Sequence, residues 1–175
     1  MASLKVDINE KDLEELLYEV LKERPLELIE QGFPIAENFE LARQLNLGKY
    51  GRADLVASAE YQGELFIFIY ELKARTGHLE HLEQLSKYMG GIYDWLIDQT
   101  GGQVDLDKVN IEGFLVAADF DIPLCGWLAG NIKFVEWSVD HIKGLVFEYN
   151  RFKYYSNQSP GKVKLELPIL PLKEQ

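Results

Sequence analysis

The residues best equipped for chemistry lie in Gly51-Arg52-Ala53-Asp54-Leu55-Val56 and in Tyr70-Glu71-Leu72-Lys73, each beside an apolar segment. Arg52–Ser58 and Glu64–Lys73 are rich in Val, Ile, Leu and Phe, and Tyr61-Gln62-Gly63 between them is a turn signal, so the two read as a hairpin. With Gln62 and Gly63 as the central residues of a two-residue turn, the register places Asp54 directly opposite Glu71. Opposed residues in such a pair have Cβ atoms roughly 4.5–5.5 Å apart, and two carboxylates there repel. Something positive should sit between them. Residues two apart share a strand face, so Lys73 projects on the same side as Glu71, about 6–7 Å along. Hard divalent cations such as Mg²⁺ take one or two carboxylates, with waters and substrate phosphate completing the shell; Mn²⁺ would substitute. A cation held by Asp54 and Glu71 polarises a phosphoryl oxygen and acidifies bound water, while Lys73 orients that water and stabilises developing charge. The residues therefore suit phosphodiester hydrolysis.

The surrounding elements must hold this pair in place. Leu13, Leu16, Leu17, Val20 and Leu21 follow helical spacing over Glu10–Glu23, with Asn9 as N-cap, Asp12 in the first turn and Pro25 stopping the pattern. Phe33, Ile35 and Phe39, between Gly32 and Leu41, are expected to form a first strand. A second, longer helix is predicted over about Gly77–Gln99, from the stripe Leu79, Leu82, Leu85, Met89, Ile92 and Leu96, with Gly101-Gly102 ending it. Ile111–Ala118 and Ile132–Trp137 are continuous apolar runs of buried-strand character, with a short Leu124–Ala129 segment between them. Leu145–Tyr149 and Phe152–Tyr155, joined at Asn150-Arg151, read as a closing hairpin, followed by an extended Pro-rich tail after Ser159. A helix followed by two buried strands implies an α/β core.

Composition sets the outer bounds. The chain has 175 residues, 29 acidic against 18 Lys+Arg, and a net charge of −11. That length fits one domain over residues 1–175, with its core over about 10–137 and the hairpin and tail over about 143–175. The single Cys125 cannot pair within the chain; it reads as a small buried apolar residue and suits a reducing cytosol. No apolar run approaches the roughly 18–20 residues of a membrane span. Met1-Ala2-Ser3-Leu4-Lys5 leads at once into acidic residues, leaving no apolar signal-peptide core. A soluble, cytoplasmic protein is expected. Its acidity argues against broad adhesion to nucleic acid or anionic lipid, so a DNA partner would be held by a local patch. Lys49, Arg52, Arg75 and Lys87 cluster around the motif and could supply it; their bland reading is that they balance neighbouring acids.

The order helix, Gly-Arg-x-Asp strand, Glu-x-Lys strand, helix resembles the PD-(D/E)xK nuclease superfamily over roughly Glu10–Trp137. The resemblance implies a restriction-endonuclease-like fold, a mixed central sheet flanked by helices, with Asp54, Glu71 and Lys73 as the metal and catalytic site. No proline precedes Asp54, as in the branch where Gly-Arg-x-Asp replaces Pro-Asp, which holds RecB-like domains and archaeal-type DNA endonucleases. That family often places a glutamate on the first helix facing the site; Glu14 and then Glu10 lie at the margins of the buried stripe, whereas Glu15 lies nearly opposite. Gln84-Leu85-Ser86-Lys87-Tyr88 matches the Gln-x-x-x-Tyr of RecB-like members, with Gln84 implied to position DNA or water and Tyr88 on the same helix face.

These readings imply an Mg²⁺-dependent deoxyribonuclease, structure-selective or nonspecific, because little chain remains after the core for elements that enter a groove. A homodimer would give two sites for the two strands of a duplex. The rival is a catalytically silent domain of the same fold, binding nucleic acid or protein, which the net charge favours and the opposed carboxylates disfavour. His78 and His81 are three apart with Glu80 and Glu83 nearby, but without a third fixed ligand they read as a solvated helix face. Phe152, Tyr154 and Tyr155 near Arg151 and Lys153 could stack on bases, with hairpin packing as the plainer role; core packing is likewise expected of Trp95, Trp127 and Trp137.

Overall fold

The computed structural model describes residues 7–36, 38–121 and 132–149. The first helix, α1 (Glu10–Glu23), forms as its spacing predicts: Leu13, Leu17 and Leu21 are buried on one stripe, and Asn9 Oδ1 accepts from the Asp12 amide at 2.9 Å. An unmade cap leaves an orphan amide, so Asn9→Ala should lower unfolding free energy by about 1 kcal/mol in urea titration with an unchanged slope. Pro25 ends α1 and opens a second short helix, α2 (Pro25–Glu30), at a position where its missing N–H is not needed.

The strands that follow are β1 (Glu40–Asn46), β2 (Arg52–Tyr61), β3 (Glu64–Leu72) and β4 (Thr76–His78). Helix α3 (Leu79–Thr100) then crosses to β5 (Val109–Ala117), β6 (Asp119–Asp121), β7 (Ile132–Asp140) and β8 (Gly144–Tyr149). Six strands form one sheet in the order β1-β2-β3-β5-β7-β8. The β1–β2–β3 and β7–β8 pairings are antiparallel, while β3–β5 and β5–β7 are parallel, giving a mixed α/β sheet. Strands β4 and β6 pair separately, in parallel. One sheet face packs on α1, α2 and residues 33–36; the other packs on α3 through Leu82, Leu85, Tyr88, Ile92 and Leu96. Among the described residues no helix is long and apolar enough to cross a membrane.

Two expectations are corrected, and a third falls partly outside the described residues. Phe33 and Ile35 are buried but lie outside any strand; Pro34 has no N–H for a ladder, Phe33 stacks on Tyr70 at 5.1 Å, and Tyr70 Oη donates to the Pro34 carbonyl. Asn38 takes a left-handed φ of 54°, and the first strand starts only at Glu40. At the other end, Leu145–Tyr149 belongs to β8, whose described partner is β7 through a turn at residues 140–144, where Asp140 Oδ1 accepts from the Ile142 and Lys143 amides. The second arm, Phe152–Tyr155, lies outside the described residues, as do Cys125, Trp127, Leu124–Ala129 and the tail after Ser159. Finally, residues 76–78, which include the start expected for the second helix, are strand, and the helix begins at Leu79.

Candidate functional site

The hairpin turn is as the sequence requires. Gln62 and Gly63 both have positive φ, 49° and 80°, the two-residue turn whose twist matches its strands. The register runs from Tyr61 opposite Glu64 to Leu55 opposite Tyr70, so Asp54 and Glu71 are next in line. There the ladder opens. Asp54 Oδ2 accepts the Leu72 amide at 2.9 Å, so its side chain takes a donor from the facing strand. Glu71 is 3% exposed at the end of β3, and Lys73 Nζ lies 3.0 Å from its Oε1. The backbone around Lys73 is fixed on both sides: its amide donates to the Val116 carbonyl, and its own carbonyl accepts from Trp137 Nε1 at 3.0 Å.

The electrostatics follow from this packing. Burial, reinforced by the Asp54 charge and opposed by Lys73, pushes the Glu71 carboxyl up to about 7. Burial also raises Asp54, against the Leu72 amide and Lys73, which favour its charged form. For Lys73, burial works against the charge, yet the Glu71, Glu10 and Asp54 carboxylates outweigh it and hold the ammonium above its ordinary value. Glu71 Oε2 is buried and, among the described residues, has no hydrogen-bond partner. An ionised oxygen in that position needs a proton or a cation.

A second group of side chains joins Asp54 to α1. Glu14, 8% exposed, receives Arg43 Nε on Oε1 at 2.6 Å and Gln44 Nε2 on Oε2 at 2.7 Å. The same Gln44 Nε2 lies 3.3 Å from Asp54 Oδ1. Gln44 stands in register with Asp54, between the Arg43–Leu55 and Leu45–Ala53 pairs, but forms no ladder pair, and its φ is 51°. A left-handed non-glycine residue inside a strand costs on the order of 1–3 kcal/mol and clusters at functional sites. Glu10 lies elsewhere, its Oε2 3.3 Å from Lys73 Nζ. Both helix glutamates therefore reach the site, through different partners.

Three solved structures resemble the chain in shape. A repair endonuclease from Pyrococcus abyssi matches with a TM-score of 0.45 and 22% identity, over 75% of this chain and 48% of that one. A complex of EndoMS with dsDNA matches with a TM-score of 0.39 and 23% identity, over 69% and 41%. Apo EndoMS matches at 0.33 and 18%, over 66% and 40%. The chain thus spans less than half the length of each. No family model and no curated protein matches the sequence.

The remaining candidates are placed less centrally. Gln84 Nε2 donates to Tyr88 Oη, so the pair does share one face of α3. Tyr88 is buried, and its hydroxyl is raised first by that burial and then by the Glu71 charge. Its ring lies 3.2 Å from where a Cβ on Gly51 would stand, and Gly51 has a φ of 105°; a side chain there would be both strained and obstructed. Gln84 itself makes no hydrogen bond to Asp54, Glu71 or Lys73. Arg52 is exposed at the start of β2, Arg75 is 88% exposed and 3.9 Å from Asp7, and Lys49 lies over the Tyr50 ring at 5.1 Å. His81 Nδ1 accepts the His78 amide at 2.9 Å, which ties the two residues to the start of α3. Arg43 and Gln44 are the site neighbours that the sequence did not single out.

A cleft of about 500 Å³ opens beside Lys73 at the starts of α1 and α3, lined by Asn9, Glu10, Lys73, Arg75, His78 and His81 among others. Among the described residues no three His, Cys, Asp or Glu side chains converge as a preformed metal cage. The carboxylates that could hold a hard cation here are those of Asp54 and Glu71, two oxygen donors, a number that leaves room for waters and substrate oxygens around Mg²⁺.

Proposed function

We propose that the chain is a divalent-metal-dependent nuclease that hydrolyses DNA phosphodiester bonds, a member of the PD-(D/E)xK superfamily with Asp54 and Glu71 as the ligands of Mg²⁺ or Mn²⁺. The observation that carries this reading is the Glu71 carboxylate, buried, with Oε1 on the Lys73 ammonium at 3.0 Å and Oε2 without a donor among the described residues. A buried acid built only for packing would have its second oxygen satisfied. Bound between Asp54 and Glu71, the cation would supply Lewis-acid polarisation of a phosphoryl oxygen and a more acidic water.

The chain's own residues do the rest. Lys73 Nζ presents a fixed positive charge at the cleft, where it holds the attacking water or a phosphate oxygen as negative charge develops. Glu10 shares that ammonium, keeping it protonated and aimed. Gln84, through Tyr88, steadies the floor behind Gly51. Arg52, Arg75 and Lys49 are exposed cations able to follow the phosphate backbone, a contact that carries no base code. Cutting is therefore structure-selective or nonspecific, by a cytoplasmic enzyme that as a homodimer would offer one site per strand.

The test is cleavage of labelled single-stranded, duplex and branched DNA with Mg²⁺, Mn²⁺ or EDTA, by the wild type and by Asp54→Ala. Metal-dependent cutting by the wild type alone is expected. Equal inertness of both proteins on every substrate would leave the silent binding module as the better account.

A further inference from the structure

We propose that Gln44 is the positioning residue of the Asp54 carboxylate, and that its left-handed backbone delivers an amide between Asp54 and Glu14. The inference rests on the reading of Asp54 as a metal ligand. Two observations meet at Gln44: a backbone that leaves extended geometry, with a φ of 51° and no ladder pair opposite Asp54, and one Nε2 at 2.7 Å from Glu14 Oε2 and 3.3 Å from Asp54 Oδ1. An extended residue here would continue the ladder, as Arg43 and Leu45 do on either side. The turn out of extended geometry instead coincides with the point where one side-chain amide of β1 hydrogen-bonds to both α1 and β2.

The choice of an amide has a chemical reason. An –NH₂ group carries two protons, one for each carboxylate, and no charge. Lysine or arginine would satisfy both acids but cancel the negative charge that a cation needs, and an acid would add a third repelling group. Asp54 is then pinned at both ends, Oδ2 by the Leu72 amide and Oδ1 by Gln44. Its remaining lone pairs keep one direction, which is what a preorganised ligand requires. Arg43 completes the arrangement by holding the other oxygen of Glu14, so that Glu14 stays paired with Gln44.

Glycine separates positioning from folding, because it adopts positive φ without strain and has no amide to give. Gln44→Gly should keep or raise the wild-type melting temperature, while its Mn²⁺ affinity, read from the electron paramagnetic resonance of free Mn²⁺, falls about 10- to 100-fold. Gln44→Asn, which also tolerates a left-handed backbone but is one methylene shorter, should show the same loss. The DNA-cutting rate should fall in parallel, with KM for DNA unchanged. Asp54→Ala, measured alongside, should lose Mn²⁺ binding altogether. If Asp54→Ala binds Mn²⁺ like the wild type, the metal-site reading itself fails. If Asp54→Ala loses Mn²⁺ but Gln44→Gly binds it as tightly as the wild type, Gln44 has only a structural role and the proposal is overturned.

Discussion

Lys73→Met should slow single-turnover DNA cutting by about 10²–10³-fold while strengthening the response of the protein to metal. Lys73 Nζ stands 3.0 Å from Glu71 and 3.3 Å from Glu10, and its side chain is only 15% exposed. Burial opposes its charge, but the three acids around it outweigh that effect, so the ammonium is present throughout the working pH range. Methionine keeps most of the length and removes the charge. Without it, nothing at that position stabilises negative charge developing on the phosphoryl group. Asp54 and Glu71 also lose their nearest compensating cation, so a bound divalent ion becomes the main counter-charge they have. The Mn²⁺-induced gain in melting temperature should therefore be larger in Lys73→Met than in the wild type. A variant that cuts at the wild-type rate would remove Lys73 from the chemistry, and one that no longer responds to Mn²⁺ would make it part of the metal site instead.

What the sequence made legible was the geometry carried by local rules. The two-residue turn at Gln62-Gly63 sets the β2–β3 register without reference to anything distant, and from it follows the approach of Asp54 to Glu71 and Lys73. Helices α1 and α3 were readable for the same reason, from apolar spacing together with the Asn9 cap and the left-handed Gly101. Strand β1 was not. It is a short edge strand, Glu-Leu-Ala-Arg-Gln-Leu-Asn, whose side chains are half-buried or exposed, so no alternation marks it. The apolar Phe33 and Ile35 beside it belong to a core segment that caps Tyr70, and they drew the strand assignment to the wrong place. Gln44 was missed with β1, since nothing in an isolated glutamine announces a positive φ. Glu14 was separable from Glu15 by helical phase but not from Glu10, because both margins of the stripe meet the site. The three-residue strands β4 and β6 are too short to leave a pattern, and pair only because the ends of β3 and β5 bring them together.

The metal-free protein should lose stability as pH rises from 5 to 8, and saturating Mg²⁺ or Mn²⁺ should restore it. Folded Glu71 holds its proton up to about 7, whereas the unfolded chain releases it near 4.5. Between those values the folded state binds more protons than the unfolded state, so raising the pH favours unfolding; below the window there is no penalty, and above it the penalty is complete. At about 1.4 kcal/mol per unit, the difference is on the order of 3 kcal/mol, or roughly 6–12 °C for a chain of this size. Asp54 is raised as well and acts in the same direction, whereas His81, lowered from 6.5 first by burial, gains stability as its unfolded form deprotonates and offsets part of the slope. Lys73, raised from 10.5, contributes stability that is lost only at higher pH, and Asp140, lowered from 3.8 by the Lys143 and Ile142 amides, acts only below the window. Glu71→Gln removes the ionisation while keeping the shape, so its melting temperature should lose most of the decline from pH 5 to 8 and, at pH 8 without metal, be higher than that of the wild type. The two measurements together distinguish a packing acid from a ligand. A buried carboxylate that only packs would give the pH slope and ignore the metal. One held open for a cation gives the slope and loses it when Mn²⁺ is added, because the ion then occupies the place that the proton filled below pH 7.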